Sequence, residues 1–489
     1  MESRSWILII NQIKMPEALH KIFRKKAINS SFIVFFLTGI SFFGFFLRDY
    51  LMAKIYGFGR ELDMFYLATM IPMFMVTVFC IPFGQSVVPI LKKNQTFNRH
   101  QLYLKVRNLA FLIFFICLFL CFATYILSDF IFFVLNYFGM VGRAMDIKFM
   151  QITTLPILLF SGLVILGNTV LSIGERYVYP AFLQSIVPIF AIIFLLIFGK
   201  FLGVYAVILG MILGQLVNLV TLNNTLKQEG VSLLPLKARK FIFNDQLPLE
   251  DYSHLVLIAF FSAILIPVNS LIGSSLGEGA ISIFNLGMRF SLFVMGIFSS
   301  LFTVVLLPYL SKLSSYKSRN TLKKETFYIL FYSSLFFIPF CFLIFIYAQS
   351  ISSLVFTYIV IENATILGLA SVIKYSAIQL PFWAFNAIIF KHANAINRVG
   401  IILFSIIAGL ILNVIFSISL IKFMNVGGLA LSITLSSAFS SAIILIYYGF
   451  KKDLDFLQVL SIGVLWFIFC ATLIAVNFDA FLMLLEKLM

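Results

Sequence analysis

Carboxylates are nearly missing from this chain: 19 Asp and Glu stand against 35 Lys and Arg in 489 residues, and charged residues are 11% of the whole. A soluble globule of this length needs far more polar surface to face water. Of the acids, only Asp49 lies well inside an apolar stretch, with Asp63 at the edge of the next. A carrier that exchanges cations depends on buried carboxylates, so a drug or cation antiporter of the MATE type is an alternative with little here to support it. Histidine is as scarce: His20, His100, His254 and His392 are the whole supply. A membrane glycan ligase or polymerase, the other alternative, needs acids or bases on a sizeable outer loop, and the loops assigned outside below are short. No Gly-x-x-x-x-Gly-Lys-Ser/Thr motif occurs, so no nucleotide drive is indicated. The five cysteines fall in apolar stretches without metal-ligand spacing and read as small buried residues. No catalytic residue, metal site or cofactor is expected.

What is abundant is hydrocarbon. Hydrophobic residues make up 62% of the chain, with 60 Phe among them. Crossing ~30 Å of bilayer takes roughly 20 helical residues, and thirteen apolar stretches of about that length or more run between residues 31 and 477. Helices follow because a lipid-exposed backbone must satisfy its own hydrogen bonds. The fold class expected is an all-α polytopic membrane protein.

Lys and Arg collect on alternate connections. Residues 1–29, 92–107, 174–177, 225–252, 311–325, 391–398 and 450–455 hold 25 of the 35, and Arg48, Arg289 and Lys374 lie within spans. The bias places the N-terminus in the cytoplasm and, after thirteen spans, the C-terminus outside. The net charge of +16 is then mostly a topology signal with attraction to anionic membrane lipids, and no nucleic-acid partner is implied.

The spans repeat. Val88–Lys92 is echoed by Leu307–Lys312, Ser172–Arg176 by Asn394–Arg398, and Gly203–Ala206 by Gly427–Ala430, at offsets near 220. Phe130–Phe138 and Ile351–Ile359, too short to span, also fall at matching places. An even number of spans separates the copies, so both point the same way, the parallel-repeat plan of rocking transporters with the site between halves. The expected domains are a basic amphipathic N-terminus (1–29, helical over Pro16–Lys26), a six-helix bundle (30–224), a linker (225–252), a second bundle (253–449), and an appended helix and tail (450–489).

Arg48 comes from the first half and Arg289 from the second, so both can face one cavity, and arginine's planar fork suits diphosphate oxygens. Lys374 is a third candidate cation. Arg48 has a competing structural reading, an ion pair with Asp49 or Asp63, which are assigned structural or gating roles. Arg289 has no acid near it in sequence. Asn285, Gln379 and Asn386 could contact sugars, although amides in membrane spans more often join helices.

The run Phe43–Gly59 with its Arg48-Asp49 pair and Gly57-Phe58-Gly59 turn, then Asp63–Ala68 and Ile71-Pro72, resembles the opening of MurJ/MviN-type proteins of the multidrug/oligosaccharidyl-lipid/polysaccharide (MOP) exporter superfamily. Gln85–Leu91, and Arg289 with Val304–Ser311, extend the resemblance. It departs where such flippases usually carry charge: Met73–Ile81 has none, and Phe42 and Leu292 stand at two further positions. The resemblance implies two parallel six-helix repeats plus an appended C-terminal helix in the bacterial inner membrane. It also implies a flippase moving an undecaprenyl-diphosphate-linked saccharide, lipid II or a polysaccharide repeat unit, to the outer leaflet by alternating access. Membrane potential could favour return of an empty cationic cavity; ion coupling and oligomeric state are left open.

Overall fold

The computed structural model describes residues 25–93, 99–137, 144–174, 176–228, 230–233, 249–301, 319–357, 363–395, 398–451 and 453–476. The amphipathic N-terminal segment, most of the 225–252 linker and Val304–Ser311 with its repeat motif lie outside or largely outside these. No strand occurs among the described residues. In chain order the helices are α1 (Lys25–Tyr56), α2 (Arg60–Met75), α3 (Ile81–Lys93), α4 (Arg99–Tyr137), α5 (Ala144–Ile173), α6 (Val178–Leu183), α7 (Ile186–Leu202) and α8 (Tyr205–Gln228). They continue as α9 (Leu249–Ala263), α10 (Leu265–Gly273), α11 (Ala280–Leu301), α12 (Arg319–Phe356), α13 (Asn363–Ala377), α14 (Leu380–Ala395), α15 (Val399–Met424), α16 (Val426–Phe450) and α17 (Phe456–Val476). Among the described residues, eleven helical segments are long and apolar enough to cross a membrane, and the bent pair α13–α14, taken as one span, makes a twelfth. The expected count of thirteen is therefore approximate; the stretch left over is α11, described over 22 residues.

Several spans are broken, each near a proline. Pro82 has no N–H for the carbonyl of Val78, and the helix widens into a π turn over Val76–Cys80, where the Ile81 N–H reaches back to Val76. Pro188, Pro267 and Pro381 follow the breaks at α6/α7, α9/α10 and α13/α14 by two to three residues. These breaks let neighbouring halves of one span present different faces.

The duplication is visible in the element boundaries. Helices α4 and α12 are 39 and 38 residues long and start 220 positions apart. Both exceed the roughly 20 residues that cross a bilayer, and Phe130–Phe138 and Ile351–Ile359 are not separate segments, since the described parts of each continue α4 and α12. The α1–α2 turn places Gly57 at φ +73°, and Gly277, 220 positions later, is at φ +100°. Gly203 ends α7 at φ +57°, and its counterpart is Asn425 at φ +48°, at an offset of 222. That corrects the Gly203/Gly427 pairing read from sequence: Gly427 lies inside α16, packed against Ser371.

Each half has its own apolar core, one centred on α3, α4 and α5 and another on α12, α14, α16 and α17. A third cluster crosses between them, joining Met52, Phe65 and Tyr66 of the first half to Leu286, Phe337 and Ile373 of the second. The second half also buries a polar knot. The Asn269 amide donates to Asn413 Oδ1 at 2.8 Å, Ser417 donates to Asn269 Oδ1 at 2.7 Å, and Asn413 donates to Ser432 at 3.1 Å. Every member satisfies another, as buried polar groups must.

Candidate functional site

Two adjoining cavities of about 310 and 290 Å³ lie between the halves and share Thr69, Met73, Arg289 and Leu292 as walls. The larger adds hydroxyl and amide groups from Tyr66, Thr77, Ser270 and Asn285. The smaller adds Arg48, Gln184, Met211 and a set of phenylalanines that includes Phe42. Phe42, Met73 and Leu292, among the positions where charge is missing, thus all face this space.

The charged centre is a triad. Asp49 is fully buried, and its Oδ1 accepts from Arg48 Nε at 2.8 Å and Nη2 at 2.5 Å. Its Oδ2 lies 3.0 Å from Arg289 Nε across the interface. Helix α1 therefore supplies both an arginine and the acid that holds the arginine of α11. Arg48 is 2% exposed, between the rings of Phe45 and Phe65 with Met211 Sδ 3.3 Å from Nη1. Arg289 is different: its side chain is 38% exposed and borders both cavities. A guanidinium held by one face leaves its remaining N–H groups to an incoming anion.

Asp63 does not pair with Arg48, which corrects one of the two partners expected. It sits in the first turn of α2 and reaches the start of α11. There its Oδ2 accepts from the Gly279 N–H at 2.7 Å, and its Oδ1 from the Ser282 N–H at 2.8 Å and from the Ser282 hydroxyl. The first N–H groups of a helix lack internal partners, and a carboxylate there also meets the positive end of the helix dipole. A residue of the first repeat thus caps a helix of the second. The approach needs glycine: Gly279 has φ +86°, and a Cβ there would lie 2.6 Å from the Phe58 carbonyl oxygen. Elsewhere along the interface Phe43 meets Phe293, Phe46 meets Phe290, and the Phe42 ring fills the place a Cβ on Gly296 would take. At the far end from Asp63, Tyr252 donates to the Phe79 carbonyl at 3.3 Å and Phe260 packs on Phe74.

Three expected ligands are elsewhere. Lys374 lines neither cavity; its ammonium lies over the Phe345 ring, 4.7 Å from the centroid, because α13 packs along α12. Gln379, at the α13/α14 break, donates to the Ser437 hydroxyl at 2.8 Å, and Asn386 to the Ser437 carbonyl at 3.4 Å. Gln379 ties the α13/α14 break to α16 and Asn386 ties α14 to α16, and neither lines either of these two cavities. Asn285 does line the larger cavity, donating to Ile281 and Ser270. Tyr66, Thr69, Gln184, Ser270 and Met211 were not singled out from sequence, where nothing separates them from other polar or soft residues in apolar runs. Among the described residues, no group of three or more His, Cys, Asp and Glu is placed to hold a metal.

The family model described as lipid II flippase MurJ matches residues 52–488. Among solved structures, the chain is similar to a lipid II flippase MurJ in an inward closed conformation, at 19% identity and TM-score 0.67, covering 91% of this chain and 93% of that one. It is also similar to VcmN, a MATE transporter of Vibrio cholerae, at 15% identity and TM-score 0.64, covering 89% and 100%. A third similar structure is a MOP superfamily transporter of Pyrococcus furiosus reported for a binding pocket of reversed polarity, at 16% identity and TM-score 0.61, covering 90% and 98%. At these identities the structures speak for the fold. No curated protein sequence matches the chain.

Proposed function

Since the chain belongs to the MurJ family of lipid II flippases, a transporter family whose members are multi-pass membrane proteins, we propose that it carries undecaprenyl-diphosphate-linked lipid II outward, with Arg48 and Arg289 as the diphosphate ligands. The observation that carries this reading is the Arg48–Asp49–Arg289 triad at the junction of two cavities, one arginine from each repeat. A diphosphate meeting both forks gains two charge-assisted contacts, and its sugars would then lie toward the hydroxyls and amide of the larger cavity. Asn285 is the sugar contact this arrangement supports. Asp63 acts as a latch that holds α2 to α11 while the empty carrier is closed at that end.

The chain would sit in the bacterial inner membrane with its N-terminus in the cytoplasm, as the Lys and Arg bias supports. Asp49 reduces the triad to a net charge of +1. Inward return of the empty site down an inside-negative potential then gains ~2.3 kcal/mol per charge per 100 mV, with no cofactor. Among the described residues the two buried acids are both engaged, Asp49 with arginines and Asp63 with a helix end. That arrangement does not suit cation antiport.

The test is export of lipid II in cells depleted of their own flippase. Wild-type protein should rescue growth. Arg289→Lys keeps the charge but loses the fork and should rescue poorly at equal membrane abundance, and Arg289→Ala should not rescue. Full activity of Arg289→Ala would overturn the reading. A second reading, a polysaccharide repeat unit as cargo, is favoured by the uncharged Phe42, Met73 and Leu292 in the cavity walls. It predicts that even the wild-type protein, well expressed, fails to rescue.

A further inference from the structure

Two unsatisfied groups of opposite hydrogen-bonding character lie beside the triad. Asp49 Oδ2 is buried and meets Arg289 as an ion pair but accepts no hydrogen bond, and the Tyr66 hydroxyl is buried without a hydrogen-bond partner. Tyr66 is 5% exposed on α2 and walls the same cavity as Arg289. Arg289, which shares that cavity wall with Tyr66, has its Nε 3.0 Å from Asp49 Oδ2, so hydroxyl and carboxylate both border one guanidinium. A buried acceptor without a donor near a buried donor without an acceptor is an arrangement waiting for a second state.

The substrate site supplies that state. When a diphosphate takes the guanidinium forks, it competes with Asp49 for the N–H groups of Arg48 and draws the Arg289 guanidinium off Oδ2. Asp49 is then left as a buried carboxylate with fewer partners, which calls for a new donor. We propose that Tyr66 is a positioning residue for this step: its hydroxyl donates to Asp49 Oδ2 as the diphosphate draws Arg289 away, so that Asp49 releases the arginines without becoming an unpaired buried charge. The inference rests on the diphosphate reading above. The charged groups in contact with Asp49 are Arg48 on its own helix and Arg289 on α11, while Asp63 of α2 is engaged by the start of α11 and α8 offers the neutral Met211 to Arg48.

The test uses the purified full chain in lipid nanodiscs, titrated with lipid II at neutral pH. Wild type, Tyr66→Phe, Asp49→Asn, the double variant and Arg289→Ala are compared. Phenylalanine keeps the ring packed on Phe65, whose centroid is 5.6 Å away, so folding is preserved. Tyr66→Phe should bind about tenfold more weakly than wild type. In the Asp49→Asn background the Tyr66 substitution should change nothing. A Tyr66→Phe protein that binds like wild type, or loses equally in the Asp49→Asn background, overturns the proposal. Arg289→Ala separates the two failures. If it binds lipid II like wild type, the diphosphate reading itself fails; if it binds weakly while Tyr66→Phe is silent, only the role of Tyr66 fails.

Discussion

Asp63→Ala should unlatch one end of the carrier. The carboxylate accepts two backbone N–H groups and one hydroxyl from the start of α11, and is only 4% exposed, so little water is at hand to replace it. Leaving a buried N–H without an acceptor costs roughly 1–3 kcal/mol, and a hydrogen bond to a charged group contributes about 1.5–3 kcal/mol. Partial rehydration of the helix start as it opens offsets some of this, so a net loss of about 3 kcal/mol is reasonable, in line with the upper range for helix caps of ~2 kcal/mol plus the lost hydroxyl contact. At ~1.4 kcal/mol per factor of ten, the joined state falls about a hundredfold relative to the parted one. The assay is cross-linking of Phe58→Cys to Glu278→Cys by a short bifunctional thiol reagent, in a background with the five native cysteines replaced. These two positions flank the contact between the Phe58 carbonyl and Gly279. Cross-link yield should drop sharply with Asp63→Ala, and export should fall with it while membrane abundance holds. Unchanged cross-linking together with unchanged export would refute the latch.

Arg48→Ala alone leaves Asp49 with one arginine. If Arg48 serves only structure, Arg48→Ala with Asp49→Ala should recover export, whereas substrate binding by Arg48 predicts no recovery; adding Asp63→Ala instead should never recover it, because Asp63 does not touch Arg48. Asn413→Leu strips the amide that accepts from Asn269 and donates to Ser432. It should lower thermal stability in detergent by about 1–3 kcal/mol without altering lipid II affinity, read by a tryptophan-fluorescence melt and a binding titration. A reporter fused after Lys451 should report cytoplasm and one fused after Val476 the outside; outside signals at both would overturn the orientation.

Much of this protein is legible in one dimension. Spans are a matter of length and apolarity along the chain, and the α4 and α12 boundaries, 220 positions apart, were foreshadowed by drifting motif offsets. The arginines in spans are equally plain, since charge in hydrocarbon is too costly to be incidental. Tertiary structure alone decided which of these groups meet. Asp49 bonds its chain neighbour Arg48 and also Arg289, 240 positions away, and Asp63 caps a helix of the other repeat instead of neutralising an arginine. Lys374, Gln379 and Asn386 looked like ligands and turned toward neighbouring helices. The reason is rotational: a helix apolar on every side carries little pattern to say which face looks inward. Its rotation is set by packing, by close approaches such as Gly279 against Phe58, and by breaks near Pro188 and Pro381, which only the assembled bundle determines.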